Sequence, residues 1–492
     1  MSCTFVRFGL RLACSLWACW LVCLPAALAQ SSVVEAPFSQ NTRSGQKPQT
    51  EQTENLAPDE SDSEDPLTLF PHSETSRYWI SGQANIIFEW HPSFPAAYTG
   101  PNSLTPAAQS ATTHVVTLYT GYELTHTTEV FADVEDATGG GIGGALGLAG
   151  YADLDSVRTV QGIPLSKDPY LARLILRQII PLSHEQVEAE RDELHLATSL
   201  PARRIEFRVG KFDLVDFFDL NSFGSDTHLQ FTNWTTDNCG SYDYAANTRG
   251  YTDGAIVEFD DHWFSARFGE TLMPKVANGI HLDADIARAR AENLEFDFRG
   301  NRIAHRPGVL RFLTYLNHGN MGNYEQSIES YLHGKISTPD ITATRRQGRH
   351  KYGFDLNFEQ EIIPDVAVFG RLGWSDGRNE SFAYTEVDRT VEVGGFTKGT
   401  RWGRRNDRAG VAFVANAIVA AHQQYLALGG LGFLLGDGAL AYGPEKIFEG
   451  FYTAHVWRGF FTSFDLQHIN NPGYNMARGP VIVPGLRLHV EF

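Results

Sequence analysis

The chain ends in the segment Leu486-Arg487-Leu488-His489-Val490-Glu491-Phe492, in which apolar and polar side chains alternate. Because successive side chains of a β-strand point to opposite faces, this pattern predicts a strand with one apolar and one polar face. The same alternation recurs toward the N-terminus in segments of about ten residues. Residues 204–209, 292–299 and 352–359 show it most clearly. The sequence therefore predicts an all-β fold.

Two features favour a membrane barrel over a soluble β-sandwich, whose strands also have one apolar face. The polar face of these segments often carries full charges, as the wall of an aqueous lumen requires. The connections also alternate in length: residues 124–127, 260–262 and 362–364 resemble tight hairpins, whereas 213–249 and 318–349 are long. Tight turns at one end and long extracellular loops at the other are typical of outer-membrane barrels. We predict a transmembrane antiparallel β-barrel of 16 strands, with 18 as the alternative.

Seventeen segments qualify as candidate strands. A bacterial barrel with both termini in the periplasm needs an even number, so one candidate is spurious or one strand is missed. We expect the error in the strand count to lie near residues 420–442. The candidates lie near residues 78–90, 113–124, 127–135, 170–180, 203–212, 250–259, 262–271, 291–299, 308–317, 350–360, 364–374, 380–389, 391–400, 408–419, 445–458, 460–468 and 482–492.

The N-terminus has the features of a secretory signal peptide. Arg7 and Arg11 precede an apolar stretch at residues 12–24, and Ala27-Leu28-Ala29 supplies the small residues of a cleavage site. This arrangement is typical of a cleaved signal rather than of a membrane anchor. We predict that residues 1–29 are removed on export.

The next region differs in composition from the remainder of the chain. Residues 30–76 are rich in Ser, Gln, Thr, Pro and Glu, with an acidic run at 59–65 and few aromatic residues. Such a composition cannot bury enough apolar surface to offset the entropy of ordering. We predict a disordered acidic periplasmic tether at 30–76 and a single barrel domain at 77–492.

Composition excludes several classes of function. The chain has 58 acidic and 40 basic residues and a net charge of −18, which argues against nucleic acid as a partner. No segment beyond the signal has 18 consecutive apolar residues, which excludes a helical membrane protein. After signal removal Cys239 is the only cysteine, and no Cys/His cluster has metal-ligand spacing. We expect no metal site, no cofactor and no intramolecular disulfide.

Two motif searches argue against catalysis. Residues 139–144, Gly-Gly-Gly-Ile-Gly-Gly, formally fit the dinucleotide-binding pattern, which needs a buried parallel strand before it. The preceding segment instead alternates charges at Glu129, Asp133 and Glu135, so we interpret the glycines as a loop that folds against the barrel. The histidines show no H-E-x-x-H spacing, and no serine or threonine stands out as activated by a histidine. We expect that the protein is not an enzyme and has no catalytic residues.

Several motifs, in order along the chain, resemble the carbohydrate-selective porin (OprB) family. They are Pro101-Asn102-Ser103-Leu104, Val209-Gly210-Lys211-Phe212, Phe231 to Trp234, Thr248-Arg249-Gly250-Tyr251, Trp402-Gly403-Arg404, Gln467-His468-Ile469-Asn470-Asn471-Pro472-Gly473-Tyr474-Asn475, Arg478-Gly479-Pro480 and the closing residues 486–492. The resemblance covers most of residues 80–492 and leaves residues 30–76 outside. It implies a 16-stranded barrel that conducts sugars by passive diffusion, without implying which sugar.

Charged residues on two neighbouring predicted strands are the first candidates for the constriction of the channel. Arg173 and Arg177 share one face of the first strand, and Arg204, Glu206 and Arg208 share one face of the second. Both sets must face the lumen, because charges on the lipid face are costly. As a group they offer forked donors suited to paired sugar hydroxyls. For any single residue, the alternative is a wall charge in a salt bridge.

The loop at 213–249 follows these strands and is the second candidate, because it is long enough to fold inward. It combines carboxylates, which bond to hydroxyls, with aromatic rings, which stack on the apolar faces of pyranose sugars. Its candidate residues are Asp213, Asp216, Asp219, Phe218 and Trp234. The alternative is that its aromatic residues only pack the loop to the wall. Trp374 and Trp402 are assigned to an interfacial aromatic girdle.

Together these observations predict an outer-membrane channel for the passive diffusion of small hydrophilic solutes, with sugars as the expected solutes. The alternatives are a general, cation-preferring porin and a structural or adhesive barrel. The expected partners are small sugars, outer-membrane lipid and the barrel assembly machinery, for which a C-terminal aromatic such as Phe492 resembles the assembly signal. A monomer and a trimer are both compatible with the sequence.

Deletion of residues 30–76 should leave the barrel assembled and conducting, because this tract lacks a hydrophobic face that the barrel could need. Heat-modifiable electrophoretic mobility reports assembly, and planar-bilayer recording reports conduction. A truncated protein that no longer inserts would show that the tract belongs to the folding unit.

Overall fold

A computed structural model describes residues 66–156, 165–303 and 305–492 of the chain. The predicted signal peptide and most of the predicted tether lie outside the described residues. In the described part, eighteen strands are present, of which sixteen form one closed barrel and two form a separate hairpin. The predicted 16-stranded barrel is therefore confirmed, and the alternative of 18 barrel strands is wrong.

The strands, in chain order, are β1 (Tyr78–His91), β2 (Gln109–Thr125), β3 (Thr128–Thr138), β4 (Tyr170–Pro181), β5 (Gln186–Glu188), β6 (Ser199–Pro201), β7 (Arg204–Phe212), β8 (Thr252–Asp261), β9 (Phe264–Leu272), β10 (Arg290–Ile303), β11 (Arg306–Met321), β12 (Arg346–Ile363), β13 (Val366–Ser375), β14 (Arg389–Lys398), β15 (Arg408–Ala417), β16 (Glu445–Trp457), β17 (Phe460–Asn470) and β18 (Val481–Glu491). The helices are α1 (Trp234–Asp237), α2 (Tyr324–Leu332) and α3 (Ala420–Ala427). Among the described residues, no helix has both the length and the apolar character needed to cross a membrane.

Each barrel strand pairs antiparallel with its neighbours, and β1 closes the barrel by pairing with β18. The closing register places Gln83 opposite Glu491 and Glu89 opposite Gly485. The small hairpin β5–β6 lies in the connection between β4 and β7, which pair directly with each other. Closure leaves no unpaired sheet edge, which a membrane-spanning sheet requires.

The two faces of the sheet meet different surroundings, as the alternation predicts. On β18, Leu486 and Leu488 are 48% and 51% exposed, whereas Arg487 and His489 are each 1% exposed. The outward face is therefore an apolar belt suited to lipid, and the inward face is polar. The inward charges are buried because long loops fold into the lumen and cover them.

The connections differ in length at the two ends, as predicted. At the end that carries both termini, β2–β3, β8–β9, β10–β11, β12–β13 and β16–β17 are joined by tight turns. The connections at the opposite end are longer, and the one predicted at 318–349 is confined to residues 322–345. Two connections at the terminus end are longer than a tight turn: residues 399–407 between β14 and β15, and residues 182–203 between β4 and β7.

One of the seventeen predicted strands, at 380–389, is wrong, and the error does not lie near 420–442 as expected. Residues 376–388 form a loop in which Phe382, Ala383 and Tyr384 are all buried. Consecutive burial is possible there because the loop folds into the lumen, where both of its faces meet protein. The region 420–442 contains α3 followed by irregular chain.

The glycine-rich motif at 139–144 lies in the connection from β3 to β4, as predicted for a loop that folds against the barrel. Ile142 N donates to Glu89 Oε1 at 2.5 Å, and Gly143 N donates to Gln109 Oε1 at 2.9 Å. Both acceptors belong to barrel strands, so the motif is anchored to the wall.

The last residues of the predicted tether, from 66 onward, lie against the terminus end of the barrel. Leu69 N donates to Glu491 O at 2.9 Å, and the His72 ring lies 4.4 Å from the Trp79 ring between centroids. A deletion confined to residues 30–65 would spare these contacts and is the sharper form of the tether experiment.

Phe492 completes the closing pair of strands. Its backbone N–H donates to Gly82 O at 2.8 Å, and Gly82 N donates to Phe492 O at 2.7 Å. The ring covers Gly82 so closely that a Cβ placed there would lie 2.5 Å from Phe492 Cε2. Gly82 therefore provides the space into which the terminal ring fits.

Removal of Phe492, or the substitution Phe492→Asp, should lower the yield of assembled barrel. Both variants lose the apolar cover over Gly82, and the removal also loses the last backbone pair of the closing strand. Heat-modifiable mobility of outer-membrane fractions measures the yield. Phe464→Ala is the matched control, because Phe464 faces outward and is 53% exposed. Equal yields for the Phe492 variants and the control would contradict the assignment of Phe492 as an assembly signal.

Candidate constriction site

The connection from β7 to β8, residues 213–251, is named here the crossing loop because it runs across the lumen. It leaves β7 through a 3-10 turn in which Asp213 accepts from Val215 N at 3.2 Å and Asp216 completes a capping box. Further along, the Asn233 side chain caps the short helix α1. The acidic residues that follow β7 therefore first serve to turn the chain sharply inward.

One anchor holds the crossing loop to β13. The Arg371 guanidinium pairs with Asp219 at 2.9 Å and with Glu392 at 2.9 Å. It also donates to Ser225 Oγ at 2.5 Å and to Thr236 O at 3.1 Å. Arg371, Asp219 and Glu392 are all buried, so this group is a compact buried network rather than a surface ion pair.

A second anchor holds the loop to β16 and β18. Glu449 accepts from Thr232 N at 2.7 Å and from Asn233 N at 3.0 Å. Arg487 Nη1 donates to Thr227 O at 3.0 Å. Wall side chains thus satisfy backbone groups that the loop would otherwise bury without partners. The two anchors fix the loop to the β13–β18 side and leave a gap against β1–β4.

The gap is a cavity of about 130 Å³ between the crossing loop and the inward faces of β1–β4. Aromatic and charged side chains dominate its lining. The aromatic ones are Tyr119, Tyr170, Trp234, Tyr251 and Tyr384, and the charged ones are Glu135, Asp155, Arg173, Asp213 and Arg249. The lining thus combines flat apolar surfaces with fixed donors and acceptors.

The aromatic surface is held in place by stacking. Trp234 and Tyr384 stack with centroids 4.7 Å apart and planes 28° from parallel. Tyr384 Oη donates to Asn247 O at 2.8 Å, and Tyr151 packs edge-on against the Tyr384 ring at 5.8 Å. Both rings are therefore preorganised before any solute arrives.

The polar surface faces the lumen from β3 and β4. Glu135 accepts hydrogen bonds from Tyr170 Oη and, at 3.0 Å, from Tyr251 Oη. The Arg249 guanidinium lies over the Tyr170 ring at 3.7 Å from its centroid, a close cation–π contact. These groups form one connected cluster beside the aromatic stack.

Asp155 belongs to the loop between β3 and β4 and also lines the cavity. Burial, followed by the charge of the nearby Asp153, raises the pKa of Asp155 to about 7, although a hydrogen bond from Asn85 at 2.5 Å opposes the rise. The carboxyl group of Asp155 therefore loses its proton less readily than an exposed aspartate does.

Arg173 lines the cavity with its charge already paired. Its Nε and Nη2 donate to the two carboxylate oxygens of Asp216 at 2.7 and 2.6 Å. Its Nη1 lies 3.4 Å from Asp133. Of the residues predicted for the constriction, Arg173, Asp213 and Trp234 line the cavity, and Asp216 lies directly behind Arg173.

The other predicted wall charges face the lumen but do not line this cavity. Glu206 accepts from Arg177, Arg204 and Arg208 at 2.8, 2.6 and 2.6 Å. Arg208 also pairs with Glu258 at 2.8 Å. Each of these residues is thus a wall charge in a salt bridge, which was the alternative for any single one of them.

The two remaining predicted residues support the loop. Asp219 belongs to the Arg371 anchor, and the Phe218 ring packs under Arg267 at 5.6 Å and against Gly269. Phe218 therefore packs the loop to the barrel wall, which was the alternative given for the aromatic residues of this loop.

The prediction omitted Glu135, Tyr170, Arg249, Tyr251 and Tyr384 from the site. Glu135 was visible as an alternating charge, and Arg249 and Tyr251 lie within a quoted motif. Tyr384 was hidden because its segment was assigned to a strand.

A serine motif lies at the end of β13. Residues 373–377, Gly-Trp-Ser-Asp-Gly, fit G-x-S-x-G, a pattern that in hydrolases presents a nucleophile. Here the buried Ser375 Oγ donates to Asp388 Oδ1 at 3.5 Å, and His422 contacts the other carboxylate oxygen of Asp388 at 3.5 Å. The imidazole therefore lies beyond the carboxylate and does not receive the serine proton.

The family model described as carbohydrate-selective porin, OprB family, matches residues 101–492. No curated protein matches the chain. Among solved structures, the chain is similar to a high-pH structure of Pseudomonas putida OprB, with 14% identity, a TM-score of 0.63 and coverage of 84% of this chain and 94% of that chain. The outer membrane channel DcaP of Acinetobacter baumannii is 9% identical, with a TM-score of 0.44 and coverage of 84% and 97%.

The substitution Arg371→Met should loosen the crossing loop, because it leaves Asp219 and Glu392 buried without their cation, and breaking a buried pair costs about 3–5 kcal/mol. We expect faster proteolysis within residues 213–251 and a noisier open-channel current, while the barrel stays assembled. The matched control is Arg306→Met, because Arg306 is 3.9 Å from Glu361 and its side chain is 39% exposed. Equal proteolysis rates for the two variants would contradict the anchor.

Proposed function

The chain belongs to the carbohydrate-selective porin (OprB) family, and we propose that small neutral sugars pass through it along the gap between the crossing loop and strands β1–β4. The chain is an outer-membrane β-barrel channel, and its family and fold are those of channels rather than of enzymes. We further propose which residues contact the sugar along this path, and that none of them has a catalytic role.

The observation that carries this proposal is the pairing of an aromatic stack with a polar cluster across one small cavity. A pyranose ring has apolar C–H faces and a rim of hydroxyls, so it is best met by a flat ring on one side and by hydrogen-bonding groups at its edge. Trp234 and Tyr384 supply the flat surface, and Glu135, Arg173 and Arg249 supply the edge contacts.

Passive diffusion needs contacts that are strong enough to admit the solute and weak enough to release it. The lining charges meet this requirement because each is engaged by a protein partner before a sugar arrives. Arg173 is held by Asp216, and Glu135 is held by Tyr170 and Tyr251. A sugar therefore gains hydrogen bonds without meeting an unpaired ion that would retain it.

The charges that line the cavity also bear on the alternative function, a general porin that prefers cations. The chain as a whole is strongly acidic, but the cavity places three carboxylates beside two guanidinium groups. The acidic excess of the chain is thus not concentrated at the gap, which supports a path for neutral solutes.

Neutral sugars should reduce the ion current of single channels in a saturable manner at millimolar concentration. Trp234→Ala should raise the half-blocking sugar concentration by about tenfold, equivalent to about 1.4 kcal/mol, because the stacking surface is lost. Trp402→Ala is the matched control, because Trp402 is exposed at the terminus end of the barrel. A wild-type current that sugars leave unchanged would favour the general porin.

A further inference from the structure

The long connection at the terminus end, residues 182–203, folds into the barrel instead of turning tightly outside it. Strands β5 and β6 pair within it, and Asp192 N donates to His195 O at 2.8 Å beyond them. We name this segment the inner hairpin. It is an ordered element with its own backbone pairing.

Apolar side chains near the tip of the inner hairpin pack on the inside of the barrel wall. Leu194 and Leu196 are buried in one cluster with Trp79, Phe131 and Ile175. Those three wall residues alternate with outward-facing neighbours on β1, β3 and β4, so their side chains point into the lumen. The tip of the hairpin therefore occupies part of the lumen itself.

A polar contact fixes the tip at this position. Leu196 N donates to Glu129 Oε1 at 3.2 Å, and Glu129 also pairs with Arg177 at 2.8 Å. Within the tip, Leu194 N donates to Asp192 Oδ1 at 2.8 Å. The inserted backbone is thus supplied with hydrogen-bond partners, as a built feature of the fold requires.

The tip lies directly below the sugar gap on the same strands. Arg173 lines the gap, and Ile175, the next inward residue on β4, belongs to the same buried cluster as Leu194 and Leu196. On β2, Tyr119 lines the gap and Gly121 faces Leu196. Two residues along a strand correspond to about 6–7 Å. A solute that leaves the gap toward the terminus end meets the inner hairpin at once.

The inner hairpin is also tied to the chain that leads from the tether into β1. Arg191 Nη1 donates to Ser73 O at 2.7 Å, and Arg191 Nη2 donates to Ser76 O at 2.8 Å. The guanidinium lies 5.8 Å from the centroid of the Trp79 ring. One side chain thus joins the hairpin, the first strand and the N-terminal segment.

We propose that the inner hairpin forms a second constriction of the channel, below the sugar gap, and that Arg191 holds it in the lumen by clamping it to residues 73–76. The inference rests on the proposed path, because it places the hairpin on the route from the gap to the terminus end. The first constriction contacts the sugar through rings and hydrogen bonds, and the second limits the cross-section with apolar side chains.

The inner hairpin can be deleted without breaking the pairing of β4 with β7. Leu182 N donates to Arg203 O at 2.9 Å, so these two residues already form a closing pair. Replacement of residues 183–202 by Asn-Gly would join them through a tight hairpin turn and leave β4 and β7 paired. Single-channel conductance should rise by at least about twofold, because the narrowed cross-section is removed. The half-blocking sugar concentration should stay unchanged, because the gap is intact.

The clamp is tested separately with Arg191→Ala. We expect brief transitions to the conductance of the deletion variant, because the tip loses its link to residues 73–76 and keeps its contacts at Leu194, Leu196 and Glu129. The matched control is Arg203→Ala, which removes an arginine of the same connection whose side chain is 55% exposed and pairs with Asp261 at 2.8 Å. Current traces that do not differ between these two variants would overturn the role of Arg191.

The outcomes separate this inference from the proposed function. An unchanged conductance in the assembled deletion variant would overturn the second constriction. A deletion that abolished the sugar block would also overturn it, because the hairpin would then be a support of the gap. If sugars fail to block even the wild type, the proposed function fails, while the conductance comparison still decides whether the hairpin narrows the channel.

Discussion

The structure depends on one constraint: a backbone N–H or C=O at membrane depth must find its partner within the protein, because lipid offers none. Antiparallel pairing around a closed circle satisfies this for the strands, and the pairing of β1 with β18 removes the last open edge. A loop that enters the lumen meets a related constraint, because backbone groups that it buries against the wall lose contact with water and need protein partners. In the crossing loop, wall side chains such as Glu449 and Arg487 form hydrogen bonds with the loop backbone. These bonds hold the loop in one position.

The barrel could be predicted from the sequence because side chains of a barrel strand face lipid and lumen in turn, so apolar and polar residues alternate along the strand. Leu486 and Arg487 differ in polarity for the same reason that they differ in exposure. The prediction failed where chain is buried on both sides. Residues 380–388 contain apolar residues dense enough to imitate a strand, yet they lie in a loop inside the lumen, where both faces of the chain meet protein.

The candidate site was only partly predictable. Alternation shows which side chains face the lumen, but it does not show which of them lie at the narrow part of the channel. Arg177, Arg204 and Arg208 do face the lumen, and they neutralise Glu206 in the wall. Arg173 lies only four residues from Arg177 on the same face of β4, yet it borders the gap. The difference arises from the anchors of the crossing loop, which join residues more than a hundred positions apart, such as Asp219 and Arg371. No local pattern encodes such a pairing.

The fit of the Phe492 ring over Gly82 has a consequence for how the barrel is completed. Side chains change faces when a strand slips by one residue, so a misaligned β18 would direct this ring into the lumen and leave Gly82 uncovered. Only the native alignment places the largest flat side chain of the last strand over the one position on β1 that lacks a side chain. The native register of β1 and β18 is therefore the one in which the Phe492 ring covers Gly82, and a register shifted by one residue loses this contact.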